Sequence, residues 1–359
     1  MAPVIKRLES CSGFTSEVCV TAQHRQMLDQ VLDLFEIRPN YDLNIMQDNQ
    51  DLMIITTKVL TLLRPVIEKS KPNLILVQGD TTTTFAASLA AFYLKVPVAH
   101  VEAGLRTYNK YSPFPEEINR RMVSAIADFN FAPTKWAQNN LLRENIPREK
   151  VFVTGNTVVD ALHDVLDIIE SRKINRRFEK KFEFLRGNRK VVLITGHRRE
   201  SFGEGFKNIC NAIKRLAMAF SEYDFVYPVH LNPNVQEPVQ NILNQDKLPN
   251  IYLIEPMEYL LFVYLMKNAH LILTDSGGIQ EEALTFGMPI LVMRSVTERP
   301  EGIKAGAVRL VGNSQESIFS ESKNLLTDQS EYNKMIKAKN PYGDGKAAKR
   351  IIRILLEKL

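Results

Sequence analysis

The chain has 359 residues, of which 45% are hydrophobic and 24% are charged, and this composition excludes disordered, collagen-like and disulfide-scaffold proteins. At ~100–200 residues per domain, the length favours two domains. The net charge of +5 comes from one segment: residues 172–190 carry a net charge of +7, and the rest of the chain carries −2. Such an excess does not indicate a nucleic-acid partner, and a solvated helix and loop is favoured over an anion-binding role for the basic segment.

No membrane or export signal stands out. No apolar run approaches the ~20 residues that span a bilayer, and the N-terminal residues lack the apolar stretch of a signal peptide. The three cysteines, Cys11, Cys19 and Cys210, are widely spaced and indicate a reducing compartment. We therefore expect a cytoplasmic protein with no membrane partner.

In chain order, a helical pattern at residues 4–9 is followed by short apolar strand patterns that alternate with longer helical ones. Strands are predicted at residues 17–22, 73–77, 97–101, 129–132, 151–154, 191–195, 224–229, 250–254, 270–274 and 289–293. Helices are predicted between them, for example at residues 26–36, 51–69, 83–94 and 279–286. Many of the strands lack polar alternation, as is typical of parallel strands that are covered on both faces.

The predicted fold class is therefore α/β, with two Rossmann-like, doubly wound domains that face a cleft. The first would span residues 1–156, with a C-terminal helix at 346–359 packing back on it, and the second residues 157–345. A doubly wound domain normally opens with a strand and a glycine-containing turn. Because this chain opens with a helix, we expect the first sheet to lack its opening strand.

The strongest local motif is LTDSGGIQEE at residues 273–282, where a strand ends in a glycine turn and a helix begins. Ser276, Gly277 and Gly278 would bring backbone N–H groups and the positive end of a helix to an anion such as a diphosphate. Glu282, on the first turns of that helix, could accept hydrogen bonds from ribose hydroxyls. A plain strand–helix turn with a serine cap remains the alternative.

Three carboxylates follow predicted strands of the first domain. Asp80 comes after residues 73–77, Glu102 after 97–101, and Glu116 at a helix start behind two prolines. The carboxyl ends of parallel strands are where open α/β sheets bind ligands, and crowded carboxylates become acid–base partners. Individually, Asp80 could be a helix cap and the others surface carboxylates.

Cationic groups follow strands of the second domain. His197 stands beside Arg198 and Arg199 after one strand, and Arg299 follows another. These side chains could bind phosphate. No His/Cys/Asp cluster has metal-ligand spacing, and no GxGxxG motif supports a nicotinamide. These residues favour an enzyme that acts on a nucleotide-linked substrate by proton transfer, without a metal or NAD.

Together these segments closely resemble the non-hydrolysing UDP-N-acetylglucosamine 2-epimerases of bacteria. The resemblance covers nearly the whole chain and rests on GDTTTT, HVEAGLRT, SPFPEE, GHRRESFG, PVHLNPNV, LTDSGGIQEE and TERPE. It implies a glycosyltransferase-B-like architecture, a homodimer, and interconversion of UDP-GlcNAc and UDP-ManNAc without a cofactor. UDP would be eliminated to give 2-acetamidoglucal and then added back, and the product would supply ManNAc for surface polysaccharide.

Residue by residue, the resemblance implies three sets of functional positions. The catalytic set is Asp80, Glu102, Glu116 and, for the departing UDP, His197. The UDP-binding set is Ser276, Gly277 and Gly278 for the diphosphate, Glu282 for the ribose, Arg299 for a phosphate, Phe262 on the uracil side, and Met257. The candidate allosteric set for a second UDP-GlcNAc is Gln23, His24, Gln26 and Gln50, although Asn49 stands where some members have arginine.

The family also carries a first strand and a Gly-Thr-Arg-Pro-Glu turn that this sequence does not show. We therefore expect the chain as written to turn over more slowly than one that carries them. Three other functions remain: a hydrolysing epimerase that releases ManNAc and UDP, a glycosyltransferase on the same scaffold, and a truncated, inactive UDP-binding product.

Overall fold

The computed structural model describes residues 1–23, 25–47, 50–183 and 187–359, which form two compact units. One unit comprises Met1–Ala161 and Tyr342–Leu359, and the other comprises Leu162–Pro341. These boundaries lie a few residues from those expected from the sequence. The reason is a continuous helix, Thr157–Ser171, whose first turn belongs to the first unit. There, Asp160 accepts hydrogen bonds from the backbone N–H groups of Ala347 and Ala348.

The first unit alternates strands and helices. Its elements are α1 (Ala2–Glu9), β1 (Cys19–Val20), α2 (Arg25–Leu34), β2 (Tyr41–Asp42), α3 (Leu52–Ser70), β3 (Ile75–Gln78), α4 (Thr82–Tyr93), β4 (Val98–Val101), α5 (Glu116–Ile126), β5 (Phe129–Ala132), α6 (Lys135–Arg143), β6 (Val151–Val153), the start of α7 (Thr157–Ser171) and α16 (Ala347–Lys358). Side-chain caps begin several of these helices, with Asp51 on α3, Thr81 on α4 and Thr134 on α6. Such caps satisfy N–H groups that the first helical turn leaves without partners.

In the described residues of this unit, β3, β4, β5 and β6 form a parallel sheet in that order, and β1 pairs separately with β2. Apolar side chains of α1 and α16, including Val4, Ile351 and Leu355, pack against Ala99 of β4 and Phe131 of β5. Parallel pairing brings the carboxyl ends of these strands to one edge of the sheet, where the candidate carboxylates follow.

The second unit is also built of alternating strands and helices. Its elements are the remainder of α7, α8 (Asn175–Lys181), β7 (Lys190–Thr195), α9 (Glu204–Ala219), β8 (Tyr223–Pro228), α10 (Pro233–Ile242), β9 (Ile251–Ile254), α11 (Tyr259–Lys267), β10 (Ala269–Thr274), α12 (Gly277–Thr285), β11 (Ile290–Val292), α13 (Pro300–Lys304), β12 (Val308–Leu310), α14 (Gln315–Thr327) and α15 (Gln329–Ile336).

Over the described residues, the second sheet is parallel, with the strand order β12-β11-β10-β7-β8-β9. The chain winds outward from β7 through β8 to β9, and then crosses to β10 and winds the other way. The strand order therefore reverses between β7 and β10, which is the place where doubly wound sheets bind ligands. A core of buried side chains such as Phe206, Ile213 and Phe225 packs beneath the sheet.

The α/β fold class predicted from the sequence is confirmed. The sequence patterns did not predict β2 and β12. These strands are two and three residues long, which is too short to show a pattern of apolar residues typical of a strand. The basic segment contains α8, as expected, but it is not wholly solvated. Phe178 and Phe182 are buried, and both rings contact that of Tyr264 on α11.

Candidate active site

Two of the predicted carboxylates follow neighbouring strands at the carboxyl edge of the first unit's sheet. Gln78, the last residue of β3, donates from Nε2 to Oε2 of Glu102 across 3.4 Å. Glu102 comes directly after β4, which pairs with β3. A methyl group built on Gly79 would lie 3.9 Å from the same Glu102 oxygen. The backbone that leads to Asp80 therefore passes close to the Glu102 carboxylate.

The third carboxylate reaches the same edge through helix α5, which begins at Glu116. Two other side chains of α5 hold the Asp80 loop. Asn119 donates from Nδ2 to the backbone oxygen of Asp80 at 3.0 Å, and Nη2 of Arg120 lies 2.9 Å from Oδ2 of Asp80. The loops that carry Asp80 and Glu102 and the helix start that carries Glu116 therefore lie at one edge of the sheet.

The sequence patterns gave no role to two residues that organise this edge. Glu117 is fully buried and accepts hydrogen bonds from the backbone N–H groups of Thr107 and Tyr108, each at 3.0 Å. Arg120 is buried between Glu117 and Asp80. The signal in the sequence was the spacing of three residues between Glu117 and Arg120, which places both on one helix face.

Two features of the carboxylates themselves are typical of functional sites. Glu102 has a φ of +67°, which a non-glycine residue adopts at a cost of roughly 1–3 kcal/mol. Oxygen Oε2 of Glu116 is buried and has no hydrogen-bond partner among the described residues. A buried carboxylate oxygen left in this way is available to a substrate proton or hydroxyl group.

His100 supports the same loop from within the sheet. Its Nε2 donates to the backbone oxygen of Gly79 at 2.7 Å, and its side chain is fully buried. Burial lowers the pKa of His100 to about 4, and the charges of Arg106 and Arg120 add to this effect. His100 is therefore neutral at physiological pH and acts as a hydrogen-bond donor to the residue before Asp80.

In the second unit, Ser276, Gly277 and Gly278 form the turn between β10 and α12. At Gly277 a Cβ atom would lie 2.6 Å from Nη1 of Arg299 and 2.8 Å from Oε1 of Glu298. A side chain here would have to displace the ends of Arg299 and Glu298, so glycine is favoured at this position. The structure thus places the predicted diphosphate turn directly against Arg299.

Arg299 is buried and bridges two carboxylates. Its Nε lies 2.5 Å from Glu281 and its Nη1 lies 2.5 Å from Glu298. Burial by itself would raise the pKa of Glu298, but Arg299, Arg294 and Arg198 outweigh it and hold that pKa at about 2. The turn therefore faces a guanidinium group fixed by ionised carboxylate. The sequence predicted Arg299 but neither of the carboxylates that hold it.

The predicted ribose ligand, Glu282, is half-buried on α12. Burial raises its pKa to about 8, the neighbouring charge of Glu281 adds to the rise, and a hydrogen bond with the Tyr259 hydroxyl opposes it. This bond brings the start of α11 beside α12. Met257 lies just before α11 and Phe262 lies within it, and both are half-buried.

His197 lies in the loop after β7, at the reversal point of the second sheet. Its backbone N–H donates to Oδ2 of Asp275 at 2.8 Å, and Asp275 immediately precedes Ser276. The structure therefore connects His197 to the predicted diphosphate turn within one unit. The predicted residues fall into two groups, the carboxylates in the first unit and the UDP-binding positions in the second.

The candidate allosteric residues are described in part. Oε1 of Gln23 accepts a hydrogen bond from the hydroxyl of Thr83, on the first turn of α4, at 3.1 Å. Gln50 donates to the backbone oxygen of Ile45. Gln26 lies in α2. His24 and Asn49 lie outside the described residues.

Metal-binding clusters and membrane-spanning helices are both absent from the described residues. No group of three or more His, Cys, Asp or Glu side chains is arranged there to hold a metal ion. In the same residues no helix combines the length and the apolar character needed to cross a bilayer.

Three comparisons with known proteins agree on one family. A family profile described as UDP-N-acetylglucosamine 2-epimerase matches residues 6–356. The chain is 55% identical to UDP-N-acetylglucosamine 2-epimerases from Neisseria meningitidis and Salmonella typhimurium, covering 99% of this chain and 95% and 94% of the two relatives. The crystal structure of the N. meningitidis UDP-GlcNAc 2-epimerase bound to UDP-GlcNAc superimposes with a TM-score of 0.95 at 54% identity, covering 100% of this chain and 96% of that one. The chain therefore belongs to the UDP-N-acetylglucosamine 2-epimerase family.

Proposed function

We propose that the chain is an isomerase that reversibly epimerises UDP-GlcNAc to UDP-ManNAc at C2 without hydrolysing either sugar nucleotide. The observation that carries this proposal is the gathering of Asp80, Glu102 and Glu116 at one sheet edge of a chain of this family. The N. meningitidis structure, which is similar to this one along the whole chain, is bound to UDP-GlcNAc and supports the same substrate here.

The chemistry needs a base on one face of the sugar and an acid on the other. One group removes the C2 proton, the C2–H electron pair forms a C1=C2 double bond, and the C1–O bond breaks as UDP leaves with its electron pair. Protonation of the 2-acetamidoglucal at C2 on the opposite face and return of the UDP oxygen to C1 complete the reaction. Because none of these steps transfers a hydride, we infer that no NAD is needed, and we propose that the reaction proceeds without a metal.

The residues of the first unit suit these proton transfers. Arg120 stabilises the ionised form of Asp80 through its ion pair, and the unpartnered oxygen of Glu116 is free to accept or give a proton. Neighbouring carboxylates shift one another's pKa values apart, so one can act as acid while another acts as base. We assign the two roles to the set of Asp80, Glu102 and Glu116 as a whole.

The second unit would hold UDP. We infer that Ser276, Gly277 and Gly278 present N–H groups to the diphosphate, where Arg299 supplies a cation. We further infer that Glu282 binds the ribose and that Met257 and Phe262 lie on the uracil side. His197, at the adjacent strand end, would stabilise the diphosphate as it leaves.

A second UDP-GlcNAc site for activation is proposed at Gln23, His24, Gln26 and Gln50. The hydrogen bond from Thr83 to Gln23 supports this proposal. Thr83 lies three residues after Asp80, so a ligand that moved Gln23 would displace the α4 start beside a candidate catalytic carboxylate.

We also infer a cytoplasmic homodimer. All three cysteines are free, which is consistent with a reducing compartment. Large apolar side chains are exposed on α3, where Met53 is 78% exposed and Ile54 is 42% exposed, and at the end of α4, where Phe92 is 58% exposed. Exposed apolar groups of this kind favour a protein interface.

Carboxylate variants test the proposed reaction. Asp80→Asn, Glu102→Gln and Glu116→Gln should each lower kcat by roughly 100-fold or more, because each removes an ionisable group from the proton-transfer site. UDP should still bind, as isothermal titration calorimetry would show, since its proposed ligands lie in the other unit. Glu68→Gln is the matched control, because Glu68 pairs with Arg64 on the exposed surface of α3, and it should leave kcat unchanged.

The product identifies the reaction. In D2O, proton NMR should show UDP-ManNAc with deuterium at C2. Retention of the C2 hydrogen without exchange would contradict proton abstraction. Free ManNAc in place of UDP-ManNAc would establish the hydrolysing alternative, and dependence on an added acceptor would establish a glycosyltransferase.

A further inference from the structure

Strands β7 and β10 end side by side at the reversal point of the second sheet, and a buried hydroxyl pair fixes their ends. Thr195 and Thr274 are register partners, and their Oγ1 atoms are 2.6 Å apart. The backbone N–H of Asp275 donates to the Thr195 backbone oxygen at 3.1 Å. The two following loops, which carry His197 and Asp275, therefore leave the sheet in a defined relation.

One oxygen of Asp275 organises the His197 loop. Asp275 is fully buried, and its Oδ2 accepts from the backbone N–H groups of both His197 and Arg198 at 2.8 Å. The Tyr227 hydroxyl donates to the backbone oxygen of Gly196 at 2.9 Å. These bonds hold the peptide groups on both sides of His197, so its ring extends from a rigid base.

The other oxygen of Asp275 faces the imidazole ring. Oδ1 is buried, has no hydrogen-bond partner among the described residues, and lies 3.8 Å from Nδ1 of His197. A small rotation of the ring would bring Nδ1 within hydrogen-bond distance. Since a buried carboxylate oxygen without a donor is costly, this oxygen favours a proton on Nδ1.

The remaining neighbours of His197 oppose a charge on it. The His230 ring stacks on the His197 ring with centroids 5.2 Å apart, and Nδ1 of His230 accepts from the backbone N–H of Asn232. Burial lowers the pKa of His197, Asp275 raises it, and His230 and Arg198 lower it further. Among the charged and titratable groups named here, Asp275 alone favours the imidazolium form.

We propose that Asp275 is a positioning residue for His197: it fixes the tautomer with the proton on Nδ1, so that Nε2 faces outward, and it stabilises the imidazolium. This inference rests on the proposed function, in which His197 acts on the departing diphosphate. Asp275 itself would not touch the substrate. The arrangement follows the general pattern in which a buried carboxylate orients an imidazole whose other nitrogen meets the reacting group.

Nitrogen NMR of the six histidines tests the proposal in the wild-type chain. The ¹⁵N shifts of each ring report which nitrogen carries the proton and at what pH the second proton binds, and His197→Asn assigns the His197 signals. Neutral His197 should carry its proton on Nδ1. A proton on Nε2 of neutral His197 would overturn the proposal without any variant of Asp275 being needed.

Asp275→Asn provides the second measurement. The asparagine oxygen can still accept from the two backbone N–H groups, whereas its NH2 group would face Nδ1 of His197 and move the proton to Nε2. The pKa of His197 should fall by about 1–2 units, and kcat should fall roughly 10- to 100-fold with a smaller change in KM. Unchanged tautomer and pKa would overturn the positioning role.

Asp224→Asn is the matched control. Asp224 is a buried aspartate of the same unit, paired with Arg189 at the opposite, amino end of the sheet. It should leave the His197 tautomer and kcat unchanged. If His197→Asn retained full turnover, the proposed role of His197 would be wrong, whereas the tautomer measurement alone decides whether Asp275 positions it. The two failures are therefore distinguishable.

Discussion

At the scale of single residues, burial and charged partners together decide the charge state of the groups around both candidate subsites. Burial keeps His100 neutral and raises the pKa of Glu282 to about 8. Glu298 is buried too, yet three arginines keep it ionised. The difference lies in the partners, since an ionised group leaves water at low cost only where an opposite charge replaces its hydration.

His100 gives a pH dependence of stability with a defined sign. Its pKa is about 4 in the folded chain and 6.5 as the ordinary value, so the unfolded chain binds the extra proton first. The contribution of neutral His100 is complete above pH 6.5 and is lost as the pH falls towards 4. His100→Gln keeps a donor for Gly79 but does not titrate. The difference in unfolding free energy between wild type and variant should therefore shrink by about 2 kcal/mol between about pH 7 and about pH 4.5.

Urea unfolding at the two pH values measures this difference. A difference that stayed constant with pH would mean that His100 becomes charged in the folded chain.

At the scale of elements, the site of the first unit depends on how helices seat against the ends of strands. The segment after β4 packs against α6, where Nδ2 of Asn140 donates to the backbone oxygen of Gly104 at 2.9 Å. Gly104 has a φ of +92°, and a Cβ atom there would lie 2.3 Å from the backbone oxygen of Ala137. Only glycine allows this approach of loop to helix.

Gly104→Ala should therefore destabilise the chain by about 3 kcal/mol or more, because the helix backbone cannot yield to the added methyl group. Gly306→Ala is the control, because Gly306, which follows the end of α13, has a similar φ of +79° but no atom within 4 Å of the point where a Cβ would lie. It should cost only about 1 kcal/mol, the strain of a left-handed backbone. Equal losses of unfolding free energy in urea would show that the clash with α6 is relieved.

At the scale of the whole molecule, each unit gathers its polar groups at the carboxyl ends of parallel strands, and helices cover the faces of the sheets. Large apolar side chains nevertheless remain exposed on α3 and α4. An α/β domain can bury its own apolar helix faces against its sheet, so the apolar groups that stay exposed are the basis of the proposed homodimer.

The proposed homodimer gives a mass prediction. Sedimentation should give twice the chain mass of 41.0 kDa, and Met53→Glu combined with Ile54→Lys should shift it towards the monomer by placing charges in the apolar contact. Met218→Glu, on α9 with Met218 65% exposed, should leave the mass unchanged. A monomeric wild type, or a double variant that stays dimeric, would contradict the proposed interface.

Much of this protein was determined by the sequence alone. Apolar strands without alternation indicated the parallel α/β fold, and the glycine turn at Ser276–Gly278 and the polar residues after β3 and β4 gave the predicted ligand sites. These signals are local, since strand period, turn chemistry and the residue after a strand lie within a few positions of each other. The same locality explains why β2 and β12 were not predicted.

The tertiary structure alone decided which charges meet. Arg120 reaches Asp80 across 40 residues of chain and His197 meets Asp275 across 78, and neither spacing shows in any local pattern. Such pairs form because strand order, set by the packing of whole helices and strands, brings distant strand ends to one edge. The sequence therefore determined which chemical groups stand at the strand ends, and packing decided which of them hold one another in place.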